Sequence, residues 1–73
     1  MKKAKLRRLL TKVGRRIKAV REARRITQED ASARSGIGYK RYQVIEGGKA
    51  NMTLGTLYRV AFALRAKPYK LLK

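Results

Sequence analysis

The apolar residues of this 73-residue chain recur at helical spacing, in short segments that are separated by helix-capping residues and glycines. Val13, Ile17 and Val20 stand at positions i, i+4 and i+7, and Arg and Lys fill the opposite face. This pattern predicts an amphipathic helix that ends near Arg25. A wider apolar stripe after Thr53 predicts another helix that buries one side against a core; it comprises Leu54, Leu57, Val60, Ala61 and Leu64.

Capping residues divide the segment between these two helices into two further short helices. Thr27 offers a side-chain oxygen to free backbone N–H groups, and the acidic residues at 29 and 30 fall in the first turn, where the helix dipole favours negative charge. Gly36 can adopt the left-handed conformation that closes a helix. A third helix is then predicted from about Tyr39 to Glu46, where a glycine pair ends it.

Pro68 suits the first turn of a last short helix, because its missing N–H group has no partner to lose there. With no strand signal in the chain, we expect an all-α fold of five helices, in which Leu71 and Leu72 close the core from below. The expected core residues are Val13, Ile17, Val20, Ile37, Ile45, Leu54, Leu57, Ala61 and Leu64.

Residues 1–12 form a predicted basic N-terminal arm, and residues 13–73 form the predicted domain. Twelve of the 21 Lys and Arg residues lie in the first 25 positions, where Glu22 is the only acid. Leu6 and Leu10 extend the apolar spacing of the first helix into the arm, whereas Gly14 interrupts it. The spacing leaves open whether the arm is a separate segment or a continuation of the helix.

The composition argues against an enzyme. The chain has no Cys and no His, so disulfides, thiolate metal sites and imidazole ligands are excluded. Glu29 and Asp30 are adjacent and point to different sides of a helical turn, so they do not converge on a substrate. We therefore expect no catalytic residues, no metal and no cofactor.

The charge balance predicts a polyanionic partner. The 21 basic and 4 acidic residues give a formal net charge of +17, and self-repulsion on that scale destabilises a compact monomer. Nucleic acid is the leading partner, since natural soluble domains mix charges of both signs when charge serves solubility alone. Attraction of a basic helix to anionic lipid accounts for residues 1–25 but not for the capped remainder. No segment approaches the roughly 18 consecutive apolar residues of a membrane span or the pattern of a secretory signal, so we expect no membrane partner and a cytoplasmic, nucleoid-associated location.

Residues 27–49 resemble the helix-turn-helix of the lambda-repressor-like (Cro/Xre) family; they read TQEDASARSGIGYKRYQVIEGGK. The resemblance extends over residues 13–72 and implies that the predicted domain is a helix-turn-helix domain. The positions that carry it are Thr27-Gln28-Glu29 at the start of the second helix, Gly36 followed by Ile37 in the turn, and Ile45-Glu46 before a Gly and a Lys.

Five positions depart from the family pattern. Ser32 and Ser35 stand where the family usually has Ala and an apolar residue, and both are small enough to pack. Tyr42 stands where the family has Ile or Val, so we interpret its ring as part of the core rather than as a base-stacking platform. Arg65 replaces the usual helix-ending Gly, and Lys67 replaces the usual capping Ser.

The resemblance implies that the third helix docks in the major groove, where side chains on its N-terminal, exposed surface reach base edges. Tyr39, Lys40, Gln43 and Val44 lie on or near that surface. Lys40 can donate to guanine O6 and N7, Gln43 can pair with adenine, and an apolar side chain can pack on a thymine methyl group. Four further residues are expected to hold the DNA backbone: Gln28, Arg41, Lys49 and Asn51. The family position of Gln28 also implies that it can brace a residue of the recognition helix.

Glu46 is the only acidic residue after Asp30, and it stands where the family has a carboxylate that pairs with an Arg of the first helix. Arg21 occupies the matching position. The resemblance therefore implies a structural ion pair that pins the end of the recognition helix to the first helix.

Together these features predict a sequence-specific, double-stranded-DNA-binding transcriptional regulator, a repressor or operon controller that reads the major groove with residues 39–46. We expect a homodimer on two half-sites about one helical turn apart, because one small module buries little DNA surface. The alternatives are a non-specific nucleic-acid binder driven by charge and the antitoxin of a toxin pair. The sequence leaves open the operator, the toxin or other protein partner, and the choice among repression, activation and control of a restriction-modification operon.

Overall fold

The computed structural model describes residues 3–72, which form four α-helices and one 3₁₀ turn. In chain order these are α1 (Lys3–Ala23), α2 (Gln28–Ser35), α3 (Tyr39–Glu46), α4 (Leu54–Ala63) and a final 3₁₀ turn (Pro68–Leu71). The described residues contain no strand, so the expected all-α fold is confirmed. The expected fifth helix is instead a single 3₁₀ turn, with Pro68 at its start.

The first helix is longer than its apolar pattern predicted. It begins at Lys3, so residues 3–12 of the predicted arm are the N-terminal half of α1; residues 1 and 2 of the arm and residue 73 of the domain lie outside the described residues. Gly14 does not interrupt α1 but lies buried within it. The helix ends at Ala23, two positions before Arg25.

Two helices end in a left-handed residue that is not glycine. Arg25 has a φ angle of 56° and Arg65 has one of 57°. Each follows a helix whose last carbonyls are satisfied in the same way: the Ile26 amide donates to the Arg21 carbonyl and the Ala66 amide donates to the Ala61 carbonyl. A left-handed conformation costs an L-residue with a Cβ atom roughly 1–2 kcal/mol.

The predicted helix starts are confirmed. Thr27 Oγ1 accepts a hydrogen bond of 3.0 Å from the Asp30 amide, and Thr53 Oγ1 accepts one of 3.0 Å from the Thr56 amide. Gly36 closes α2 with a φ angle of 70°, as its position indicated. The short α2–turn–α3 unit therefore begins and turns where the sequence predicted.

Seven of the nine expected core residues are buried, and two are not. Val20 is half-buried and packs against the core. Leu54 was assigned to the core wrongly, since its side chain is 80% exposed. It is the first residue of α4, and the buried face of that helix is rotated away from it, through Leu57, Val60, Ala61, Ala63 and Leu64.

The core also contains residues that the expected set omitted. Tyr42 is fully buried, as we interpreted it. Leu71 of the final turn closes the core as expected, but Leu72 does not, because its side chain is 48% exposed. Helix α2 packs against α3 and α4, while α1 packs against α3 and the final turn. The remaining additional core residues are Ile26, Ala31, Val60 and Ala63.

Helix α1 approaches the end of α3 at backbone distance. A Cβ atom added to Gly14 would lie 2.5 Å from the Glu46 carbonyl oxygen, and one added to Gly48 would lie 2.6 Å from the Cα atom of Thr11. Both glycines are buried, so neither site has solvent into which a methyl group could move. The two glycines therefore set how closely α1 and α3 pack.

We expect Gly14→Ala to destabilise the protein by about 1–3 kcal/mol, because the overpacking against a backbone carbonyl outweighs the helix propensity gained. Gly55→Ala is the matched control: Gly55 also lies in a helix, but its added Cβ would meet only the Thr53 hydroxyl at 3.6 Å. The control variant should be more stable than the wild type by up to about 1 kcal/mol. Chemical denaturation of both variants measures these changes, and equal gains would contradict the close approach.

Candidate nucleic-acid interface

Helix α3 has one buried face and one exposed face. Tyr42, Ile45 and Glu46 are buried, whereas the four residues predicted to reach base edges are all exposed: Tyr39, Lys40, Gln43 and Val44. The exposed face therefore presents an amine, an amide, an aromatic ring and a branched apolar side chain to solvent. This mixture can both hydrogen bond to base edges and pack on thymine methyl groups.

The buried end of α3 is held to α1 by an ion pair between Arg21 and Glu46. Arg21 Nη2 lies 2.8 Å from Glu46 Oε1, and Arg21 Nε lies 3.0 Å from Glu46 Oε2. The hydrogen bonds from Arg21 to this carboxylate raise the pKa of its guanidinium above the usual value. Arg21 Nη1 also donates to the Ile26 carbonyl at 2.8 Å, so the guanidinium links α3 to the connection between α1 and α2 as well.

Gln28 extends this network from α2. Its Nε2 donates to Glu46 Oε1 at 3.2 Å, and its Oε1 accepts from Gln43 Nε2 at 3.5 Å. The sequence predicted Gln28 as a contact to the DNA backbone, and the structure places it half-buried at the α2–α3 junction. The resemblance implied that Gln28 can brace a residue of the recognition helix, but it did not identify Glu46 as a partner, because nothing in the local sequence shows that these two residues meet.

Two serines hold the turn between α2 and α3. The Ser32 hydroxyl donates to the Ile37 carbonyl, and the Ser35 hydroxyl accepts from the Ile37 amide at 3.3 Å. From the sequence, both residues were interpreted only as small enough to pack. In the structure, their hydroxyls form hydrogen bonds with buried backbone groups of the turn. The two departures from the family pattern thus satisfy polar atoms that would otherwise be buried without partners.

The other three residues expected to hold the DNA backbone are exposed. Arg41 lies on α3, and Lys49 and Asn51 lie in the connection from α3 to α4. Lys49 and Asn51 also line a groove with Lys3 and Arg7 of α1. The sequence did not predict that these two α1 residues lie there. The groove depends on the contact between α1 and α3, for which the sequence has no local signal.

Tyr42 is buried beside this network and does not act as a stacking platform. In the part of the chain that the structure describes, no atom forms a hydrogen bond with its hydroxyl. Burial raises the pKa of the Tyr42 phenol, and the negative charge of Glu46 raises it further. The ring therefore contributes to packing, while its hydroxyl opposes burial.

Other kinds of site are not found among residues 3–72. No group of three acidic, His or Cys side chains in this range could hold a metal ion. None of the helices described combines the length and the apolar character needed to cross a membrane.

Comparison with known proteins agrees with this geometry. A helix-turn-helix family matches residues 17–71. Among solved structures, the restriction-modification controller protein C.AhdI from Aeromonas hydrophila is similar, with a TM-score of 0.82 and 31% sequence identity over 85% of this chain and 94% of that one. The search of curated proteins found no significant match.

The chain belongs to the helix-turn-helix family of Cro/Xre type, as residues 27–49 indicated. It is a DNA-binding transcriptional regulator with an all-α fold.

Alkaline pH provides a test of the Tyr42 environment. An exposed Tyr titrates near pH 10. Because the folded-state pKa of Tyr42 is raised, the unfolded chain loses this proton first, and the Tyr42 contribution to the free energy of unfolding falls as the pH rises above about 10. We expect Tyr42→Phe to be at least as stable as the wild type at pH 7. Above pH 10, its free energy of unfolding should fall by less than that of the wild type.

Denaturation curves at pH 7, 10 and 11.5 measure this difference. Tyr58→Phe is the matched control, because Tyr58 is exposed and its substitution leaves the buried network intact. All other residues are the same in the three proteins, so the difference between variants reports the substituted tyrosine. If Tyr42→Phe and Tyr58→Phe follow the same pH profile, Tyr42 is not shielded as described.

Proposed function

We propose that this protein is a sequence-specific regulator that binds double-stranded DNA with α3 in the major groove and controls transcription by occupying its operator. The observation that carries the proposal is the position of α3, whose reading face is exposed while its opposite face is fixed by the buried Arg21–Glu46 pair. A groove-reading helix must hold its orientation to discriminate between bases, since hydrogen bonds to base edges are directional.

The side chains of α3 divide between reading and holding. Lys40 is suited to the O6 and N7 acceptors of guanine, and Val44 or the Tyr39 ring is suited to a thymine methyl group. Gln43 is available to adenine while Gln28 braces it from α2. Arg41 and the residues after α3 are exposed cations and amides, which suit phosphate oxygens.

The similarity to C.AhdI supports an operon controller within this class, because that protein is a restriction-modification controller and is 31% identical to this chain over the aligned residues. A repressor uses the same geometry, since both kinds of regulator act from an occupied operator. We place the protein in the cytoplasm, on the nucleoid, where its DNA partner lies.

The competing proposal is non-specific binding driven by the net charge of +17. Charge alone predicts that every duplex binds with similar affinity and strong salt dependence. A reading helix predicts instead that particular α3 side chains change the ratio of affinities between sequences. The two proposals are therefore separated by specificity rather than by affinity.

We expect Lys40→Ala to remove about 1–3 kcal/mol of discrimination at one base pair, and Tyr39→Ala to reduce discrimination at a neighbouring one. A site is first selected from a random duplex library, and affinities for that site and a scrambled duplex are then measured. Lys70→Ala is the matched control, because it removes the same charge from the final turn, which packs against α4 and α1. If Lys40→Ala and Tyr39→Ala weaken both duplexes by the same factor, α3 does not read sequence.

We also propose that the regulator binds as a homodimer whose copies meet along α4. Leu54, Tyr58 and Phe62 stand at i, i+4 and i+8 on this helix and are 80%, 61% and 68% exposed. Single exposed apolar side chains are ordinary, but a continuous row of three indicates an interaction surface. Because each copy is strongly cationic, the dimer is expected to form most readily on DNA, which neutralises the charge.

The expected result of Phe62→Gln is loss of the two-copy complex on a duplex that carries two half-sites, with binding to a single half-site unchanged. Analytical ultracentrifugation of the protein–DNA complexes measures the number of copies bound. Leu9→Gln is the control, since it removes an exposed apolar side chain from α1 instead. Two-copy complexes that form equally well with Phe62→Gln rule out α4 as the interface.

A further inference from the structure

The N-terminal half of α1 lies outside the family match, yet it packs closely against the rest of the domain. The match covers residues 17–71, whereas α1 begins at Lys3. The close approaches at Gly14 and Gly48 hold this half of the helix against the end of α3, with no room for a side chain at either point. Its position relative to the reading helix is therefore set by backbone packing.

This packing creates a groove between α1 and the connection from α3 to α4. Lys3 and Arg7 of α1 line one side, and Lys49 and Asn51 line the other. Half-buried Leu6 and Leu10 of α1 also line it. The four polar side chains are exposed, and none of the described residues that line the groove is acidic.

The groove borders the C-terminal end of α3. Gly47, which directly follows α3, lines the groove, and α3 is only eight residues long. At 1.5 Å per residue, the groove lies roughly 12 Å from the N-terminal end of α3, where base reading is expected. A DNA strand that borders the major groove can therefore reach it.

We propose that this groove binds a phosphate segment of the DNA strand beside the site read by α3. The inference rests on the proposed function and extends it, because it makes residues 3–12 a preformed second anchor. Three neighbouring cations repel one another in the free protein, and a polyanion relieves that repulsion. Long, flexible Lys and Arg side chains beside an amide suit phosphate oxygens, which position a protein without selecting a sequence.

The test compares two pairs of substitutions in the full chain that lower the net charge equally. Lys3→Gln with Arg7→Gln removes the α1 cations of the groove. Lys5→Gln with Lys12→Gln removes two exposed cations of the same helical segment that do not line it. Affinity for the selected duplex and for a scrambled duplex is measured at several salt concentrations, and circular dichroism checks that both variants keep their helices.

We expect the groove pair to flatten the slope of log affinity against log salt by about 1.8, which is about 0.9 for each lost phosphate contact. At 0.15 M salt this slope corresponds to a loss of affinity on the order of 30-fold, on both duplexes alike. The control pair should change the slope by less than half as much. Equal effects of the two pairs would overturn the inference, because charge alone would then explain them.

The same measurements keep this inference separate from the proposed function. The ratio of wild-type affinities for the selected and scrambled duplexes reports sequence reading by α3. The difference between the two charge-matched pairs reports the groove. If the affinity ratio is near one but the two pairs of substitutions have unequal effects, sequence reading by α3 is contradicted and the groove is supported. If the affinity ratio is high but the two pairs have equal effects, the groove is contradicted and sequence reading is supported.

Discussion

The buried pair between Arg21 and Glu46 is the contact on which the arrangement of the helices depends. Their side chains are 11% and 3% exposed, so both charges are largely removed from water. Such a pair gives little net stability by itself, but removing one partner costs about 3–5 kcal/mol because the other is left buried. Its value here is orientation: α1, α2 and α3 all meet at the Glu46 carboxylate, through Arg21 and Gln28.

The parts of the fold that depend on local chemistry could be predicted from the sequence. Thr27, Gly36 and Thr53 determine where helices start and turn through hydrogen bonds and φ angles within a few residues. The parts that depend on distant neighbours could not. From the sequence, Gly14 was predicted to interrupt the helix, because the contact with the Glu46 carbonyl is not visible there. Leu54 was assigned to the core, because the sequence does not show which face of α4 is buried.

The same division applies to the candidate interface. The exposed face of α3 follows from helical geometry once its bounds are known, so the four proposed reading residues could be placed from sequence. The role of Gln28 as a link to Glu46 could not, because it joins positions 18 residues apart. The groove between Lys3 and Lys49 likewise exists only because two glycines let α1 approach the loop after α3.

The two left-handed arginines, Arg25 and Arg65, show where the sequence forgoes stability in favour of positive charge. Glycine at either position would relieve backbone strain, but it would also remove a cation from the surface. Arginine at these two positions therefore lowers the free energy of unfolding and strengthens the attraction of the surface to polyanions. The folding and the binding of the protein are then thermodynamically linked: ligand bound only by the native state raises apparent stability by mass action. In a cell, the lifetime of each copy would accordingly depend on how much of its time it spends on DNA.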